Sequence, residues 1–214
     1  MEIGVAEFAE KSSLSPRRVL QLIQVGKISA RRSGGRWLIA QEELNYRSAI
    51  SRPLSPKMGR ALLSSLSGSE WEISLDAKSR SRIREYLSEL AKSQDPARLL
   101  SSWFSGRSKK YLFKARSNDL RKLRSDKRIV LSGISDHRSG ISDSAFLQGY
   151  VSQKDFKQVV REYLLVPAQG SNVQLGIASH FSDSLIPLGL MLVDLAEHIG
   201  PRESAQVKKL IRSL

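Results

Sequence analysis

The sequence predicts a mixed α/β chain of α+β character in two parts, and three observations predict it. Residues 15–39 change from a helical period to two short β-capable runs around a Gly-Gly pair. Residues 48–56, SAISRPLSP, carry two prolines and no periodicity. From Ile129 onward, strand-like runs alternate with apolar helical stripes. The parts are residues 1–49, a small helix-and-hairpin domain, and residues 67–214, a larger α/β domain. Residues 50–66 supply a linker and a connecting helix.

In the first part, Val5, Phe8 and Ala9 fit an upstream helix. Ser15 before Pro16 is a start signal: a side chain able to cap, then a ring already at helical φ. Val19, Leu22 and Ile23 fall on one side of that helix. Arg17, Gln21 and Gln24 project from the other, with Arg18 on the flank. Gly26 ends it, as a residue free to adopt positive φ does. Residues 28–31 and 36–39 are joined by Ser33-Gly34-Gly35, which predicts a hairpin whose tip carries Arg31, Arg32 and Arg36. Residues 41–47 close the unit as a short helix that packs Leu44 against the hairpin. This order is that of a helix-turn-helix with a wing.

In the second part, Ser55-Pro56 starts a helix with Met58, Leu62 and Leu66 on one line, ended by Ser67-Gly68. Residues 71–75 form a short apolar bridge. A helix over 76–92 follows, with Ile83, Tyr86, Leu87 and Leu90 as its stripe. Asp95-Pro96 opens another, carrying Leu99, Leu100, Trp103 and Phe104. Tyr111-Leu112-Phe113 predicts a strand, and Ser117-Asn118 a cap for a short helix through Leu120 and Leu123. Residues 146–151 predict a strand and 153–165 a helix with Phe156, Val159, Val160, Tyr163 and Leu164 on one stripe. Residues 167–172 predict a turn and 173–178 a strand. Residues 185–199 predict a buried helix, broken by Gly200-Pro201. Val207, Leu210, Ile211 and Leu214 give the last helix its apolar face.

Charge is distributed unevenly. Of the net +14, residues 1–66 carry 11 basic and 5 acidic side chains, residues 67–130 carry 16 and 8, and residues 131–214 carry 8 and 8. A basic front and a neutral back predict a polyanion-binding part joined to a part with another task. The densest stretch, residues 107–128, holds ten Lys or Arg against Asp119 and Asp126. Lys109, Lys110, Lys114, Arg116, Arg121, Lys122 and Arg124 are candidates there for a second phosphate-contacting surface. The plainer alternative is a solvated helix face and a strand edge guarded by Lys.

Other chemistries find little support. There is no Cys, which excludes disulfides and thiolate sites. His137, His180 and His198 lie far apart without metal-ligand spacing, so no metal site and no cofactor is expected. His137 follows Asp136 and reads as a surface residue of a polar loop. Asp194, inside an apolar run, is either a functional carboxylate or, as we favour, one bonded to a nearby backbone or Arg group. Gly34-Gly35 lacks phosphate-loop spacing, and no Ser–His–Asp set can be assembled. The expectation is a protein that is not an enzyme. The start, MEIGVAEFAEK, has no signal-peptide pattern, and residues 185–196 are too short to cross a bilayer, so a cytoplasmic location is expected.

DNA binding follows from donor chemistry. Arg17, Arg18 and Gln21 suit base edges in a major groove, Arg for guanine and Gln for adenine. Arg31, Arg32 and Arg36 suit phosphates or a narrowed minor groove, and Lys27 adds salt-sensitive affinity. Residues 1–47 resemble the winged helix-turn-helix of the MerR and excisionase group. That group has a V-A-E-type helix, an S-P-R-R-V recognition helix, G-K-I and a G-G-R-W hairpin in this order.

A second resemblance covers most of residues 50–214. The succession SGISDHRSGIS, YVSQKDFKQVVREYLLVPAQGSNVQLGIA and LGLMLVDLAEHIGPRESAQVKKLIRSL is similar to the C-terminal region of AbiEi-type antitoxins, in particular actinobacterial relatives with a MerR-like N-terminus. RPLSPKMGRALL and LDAKSRSRIREYL also resemble that group. One departure is Gly200 before Pro201-Arg202-Glu203, where those relatives often have Asp. The resemblance implies an antitoxin that represses its own promoter on double-stranded DNA and counteracts a cognate nucleotidyltransferase toxin, with no membrane partner. The alternative is a phage-type or excisionase-like regulator without a toxin, and a third is an RNA-binding protein using residues 107–128. The long neutral back half favours the first, since excisionases are little more than the winged domain.

Overall fold

Two compact units, residues 1–48 and 49–214, make up the computed structural model of the chain. It describes residues 2–12, 14–24, 28–40, 43–44, 51–69, 74–168, 170–178, 185–198 and 200–214. The chain is mixed α/β, with nine α-helices and two sheets among the described residues.

In the first unit, strand β1 (Glu2–Gly4) leads into helix α1 (Val5–Lys11), followed by α2 (Pro16–Gln24) and strands β2 (Ala30–Ser33) and β3 (Arg36–Ala40). Ser15 caps α2 as expected, its Oγ accepting from the Arg18 amide at 3.2 Å. Gly34 and Gly35 sit at φ +53° and +79°, the two positive values that a two-residue hairpin turn of the I′ type requires. The hairpin forms, with its first strand two residues later than expected and Ser33 in the strand, Ser33 opposite Arg36 and Arg31 opposite Leu38. β1 adds a third antiparallel strand on the other side of β3, with Ile3 opposite Ile39. Three residues are too few for periodicity, so the sequence did not announce it. Phe8, Val19, Leu22, Ile28 and Ile39 are fully buried in one core, with Leu44 packed partly against it. Gly26, and residues 41–42 and 45–47 of the expected closing helix, lie outside the described residues.

The second unit begins with α3 (Pro56–Leu66), α4 (Ala77–Lys92) and α5 (Pro96–Trp103), capped by Ser55, Asp76 and Asp95 respectively. α3 is not a connector. Leu62 and Leu66 are buried in the large core, and its carbonyls meet a later helix, α8 (Leu188–Ala196). A Cβ on Gly189 would sit 2.4 Å from the Leu63 carbonyl oxygen, so only glycine allows this crossing. The Gly189 amide donates to Ser67 Oγ at 2.9 Å.

The five-stranded sheet has the order β5-β6-β8-β4-β7. Its strands are β4 (Lys110–Lys114), β5 (Ile129–Leu131), β6 (Leu147–Ser152), β7 (Val166–Pro167) and β8 (Val173–Ala178). Only β6 and β8 run parallel; the other pairs are antiparallel. Phe113, Leu147, Val151, Val173 and Leu175 form a core with Leu120 and Leu123 of α6 (Ser117–Ser125) and Val159 of α7 (Gln153–Glu162). Tyr150, on the opposite face of β6, joins a second core with α3, α4, α5, α8 and α9 (Pro201–Arg212). The sheet thus separates two apolar layers.

Several boundaries differ from expectation for local reasons. Arg116, not Ser117, caps α6, and without a side-chain bond. α7 stops at Glu162 because Leu164 takes φ +49°, which leaves Leu164 exposed instead of on the buried stripe. Pro167, expected in a turn, and Val166 before it pair with β4. α8 begins only after Pro187, leaving Leu185 exposed. No helix among the described residues is long and apolar enough to cross a membrane.

Candidate nucleic-acid interface

The cationic residues of the first unit are presented by a helix and a hairpin wrapped around one core. Val19, Leu22 and Ile23 turn one side of α2 inward, which leaves Arg17, Arg18, Gln21 and Gln24 exposed on the rest of its circumference. Arg18 Nη1 donates to Gln21 Oε1 at 3.4 Å, placing a guanidinium and an amide side by side. On the hairpin Arg32 and Arg36 are exposed, and the Arg32 guanidinium lies 5.9 Å from the Trp37 ring centre. Neither has a carboxylate partner among the described residues.

Arg31 differs from its neighbours. Its Nε and Nη2 donate to the two Glu2 oxygens at 2.7 and 2.6 Å, joining β2 to β1 across β3. The hydrogen bonds from Arg31 hold the Glu2 carboxyl below its ordinary range. Arg31 is therefore the least available of the hairpin cations. Lys27 lies outside the described residues.

The proposed second surface keeps five of its seven residues. Lys109, Lys114, Arg116, Arg121 and Lys122 are exposed. Lys109 Nζ sits 4.9 Å from the Tyr111 ring centre, and Lys122 is 3.9 Å from Asp119. Lys110 and Arg124 do not belong to such a surface. Lys110 is ion-paired with Glu197, and burial pushes its ammonium down to about 8. Arg124 donates to the Asp143 and Phe146 carbonyls and so ties down the loop before β6. On β4, Lys110 points away from Tyr111 and Phe113 to the face that carries Tyr150, where it lies across from Gly176 and meets Glu197.

Several other charges of the second unit are structural. Asp194 is 1% exposed in the middle of α8. It accepts from Arg107, from Ser132 Oγ and from Tyr150 Oη at 3.1 Å. The expected Arg partner is thus present, 87 residues earlier in the chain. Arg107 also reaches Glu197 at 3.2 Å. Burial raises the Tyr150 phenol, so it stays a donor. His198, beside Gln148 Oε1 at 2.8 Å, is pushed down by burial. His137 has a 78% exposed side chain with Nδ1 3.7 Å from Asp136, while Asp136 is clamped by Arg138 at 2.6 Å. His180 lies outside the described residues. Asp126 is held by Arg128 at 2.5 Å and by the Tyr163 hydroxyl at 3.0 Å, and the Arg128 hydrogen bonds lower it to about 2. Among the described residues no group of three or more His, Cys, Asp or Glu could hold a metal ion.

Sequence reasoning missed the network around Asp194. An acid in an otherwise apolar helix was its one visible signal. Arg107, Ser132 and Tyr150 were not separable from their surroundings by spacing. No family model, no curated protein and no solved structure matches this chain.

Proposed function

We propose that this chain is a cytoplasmic DNA-binding antitoxin and autorepressor that counteracts a nucleotidyltransferase-type toxin and is not itself an enzyme. The observation that carries the DNA reading is the set of exposed Arg17, Arg18 and Gln21 on one helix and Arg32 and Arg36 on a hairpin of the same small core, with no carboxylate partner among the described residues. On this reading the first unit is a winged helix-turn-helix: α2 enters the major groove and the hairpin meets the backbone. Lys109, Lys114, Arg116, Arg121 and Lys122 add salt-sensitive contacts from the second unit.

The antitoxin part is supported by the ordered likeness of residues 50–214 to AbiEi-type antitoxins, and by the two cores of the second unit, more than a DNA reader needs. The test expresses the neighbouring toxin from an unrelated promoter, so that repression cannot account for rescue. Growth returns with the full chain and with a variant carrying Arg17→Ala, Arg32→Ala and Arg36→Ala. Failure of the full chain to restore growth would sink the antitoxin reading and leave a DNA-binding regulator without a toxin.

A further inference from the structure

A cleft of about 600 Å³ opens inside the second unit, between the first turns of α3, the loop that follows α5 and the sheet. Its size is that of small-molecule sites, a few hundred to a thousand cubic ångströms. The walls are apolar: Trp103, Phe104, Leu63 and Leu190 among them. Trp103 is fixed, its indole Nε1 donating to Ser51 Oγ at 3.0 Å and its carbonyl accepting from the Leu54 amide at 2.9 Å.

Its polar groups are donors. Arg60 is exposed at the cleft, and Arg107, Ser108 and Tyr150 also line it. No Asp or Glu is among the described lining residues. Asp194, Glu197 and Tyr150 occupy only the Nη side of the Arg107 guanidinium. Arg107 Nε and Ser108 Oγ are buried and hydrogen-bonded to nothing among the described residues. Two adjacent buried groups without partners are uncommon in a folded chain, because each costs about 1–3 kcal/mol. Both residues line the cleft, whose walls are set by the rest of the core, while these two atoms lie just beneath its surface.

From this cleft we infer a binding site for a small amphipathic anion: an aromatic body against Trp103 and Phe104, and one carboxylate or phosphate group at the Arg107–Ser108 end, where a turn of the Ser108 side chain opens Ser108 Oγ and Arg107 Nε to it. Arg60 supplies the attraction at the mouth. The site shares no residue with the DNA-reading surface, and it stands or falls independently of that reading.

The test uses the full-length chain with its tryptophan indoles labelled with nitrogen-15. Naphthoate and naphthyl phosphate are titrated separately, with neutral naphthylmethanol as the control. The site predicts a saturable shift of the Trp103 indole resonance with at least one anion, and binding of the neutral alcohol weaker by about tenfold, the effect of one charge-assisted hydrogen bond. Which anion binds tighter identifies the head group. Arg60→Glu and Ser108→Ala, neither of which removes a core contact, each weaken that anion at least several-fold, with the thermal midpoint unchanged in the first and not lowered in the second. Absence of saturable binding by either anion, equal binding of the alcohol, or an affinity untouched by both substitutions would overturn the site.

Discussion

Arg32 in the first unit and Arg107 in the second are the same residue in opposite circumstances. Arg32 is exposed over Trp37, with no acid beside it among the described residues. The Arg107 side chain is only 14% exposed, and it joins Asp194, Glu197 and Tyr150 across the interior of its unit. The same division runs through the chain. Arg17, Arg18 and Arg36 face solvent, whereas Lys110, Arg124, Arg128 and Arg138 hold loops, acids and carbonyls together. Net charge therefore overstates what the second unit offers a polyanion. A cation already bound to a buried carboxylate cannot release counterions from a phosphate backbone without giving up its partner.

That contrast can be broken most severely at Asp194. Asp194→Ala leaves Arg107, Ser132 and Tyr150 without their shared acceptor. It should cost about 3–5 kcal/mol, as breaking one side of a buried ion pair does. Arg17→Ala should change stability by less than about 0.5 kcal/mol. Urea unfolding of both variants checks the pair, and similar midpoints would erase the distinction between structural and available arginines.

DNA affinity should respond in the reverse sense. Arg17→Ala or Gln21→Ala should each weaken binding to the upstream promoter by about 1–3 kcal/mol and relax base preference at one position. Titration of wild-type and variant proteins against operator variants measures both effects. Arg32→Ala should weaken all sequences alike.

Asp126 sharpens the comparison through pH. Its carboxyl lies at about 2 in the folded chain against an ordinary 3.8, so the folded state binds fewer protons and gains stability above that range. This contribution is complete above pH 4 and is lost as pH falls through about 2. Asp126→Asn should lower stability at neutral pH and flatten the decline between pH 4 and 2. Unfolding midpoints across that window measure it, and parallel curves would mean that the Arg128 and Tyr163 contacts contribute nothing.

Why some of this could be read from sequence and some could not has a physical basis. Ser15-Pro16, Ser55-Pro56, Asp76 and Asp95-Pro96 act within one turn of helix, so the starts of four helices were legible. Gly34-Gly35 fixed a hairpin because its turn needs two positive φ values. β1 and β7, of three and two residues, exist only because a neighbouring strand offers an edge. The exposure of Arg17, Arg18 and Gln21 followed from the apolar side of α2, a local relation. The loss of Lys110 and Arg124 from the second surface did not, since their partners Glu197, Asp143 and Phe146 lie far along the chain.

The claim that availability, not charge count, decides the polyanion surface meets its most direct test in salt dependence. Two full-length variants lose three charges each: Arg17→Gln, Arg32→Gln and Arg36→Gln in the first unit, and Lys114→Gln, Arg116→Gln and Arg121→Gln in the second. Affinity for the promoter duplex is measured for each across a salt series. The first variant should lose most of the affinity, with the salt slope falling by roughly one for each phosphate contact removed. The second should show the smaller loss of both. A first-unit variant that binds like the parent, beside a second-unit variant that does not, would contradict the account.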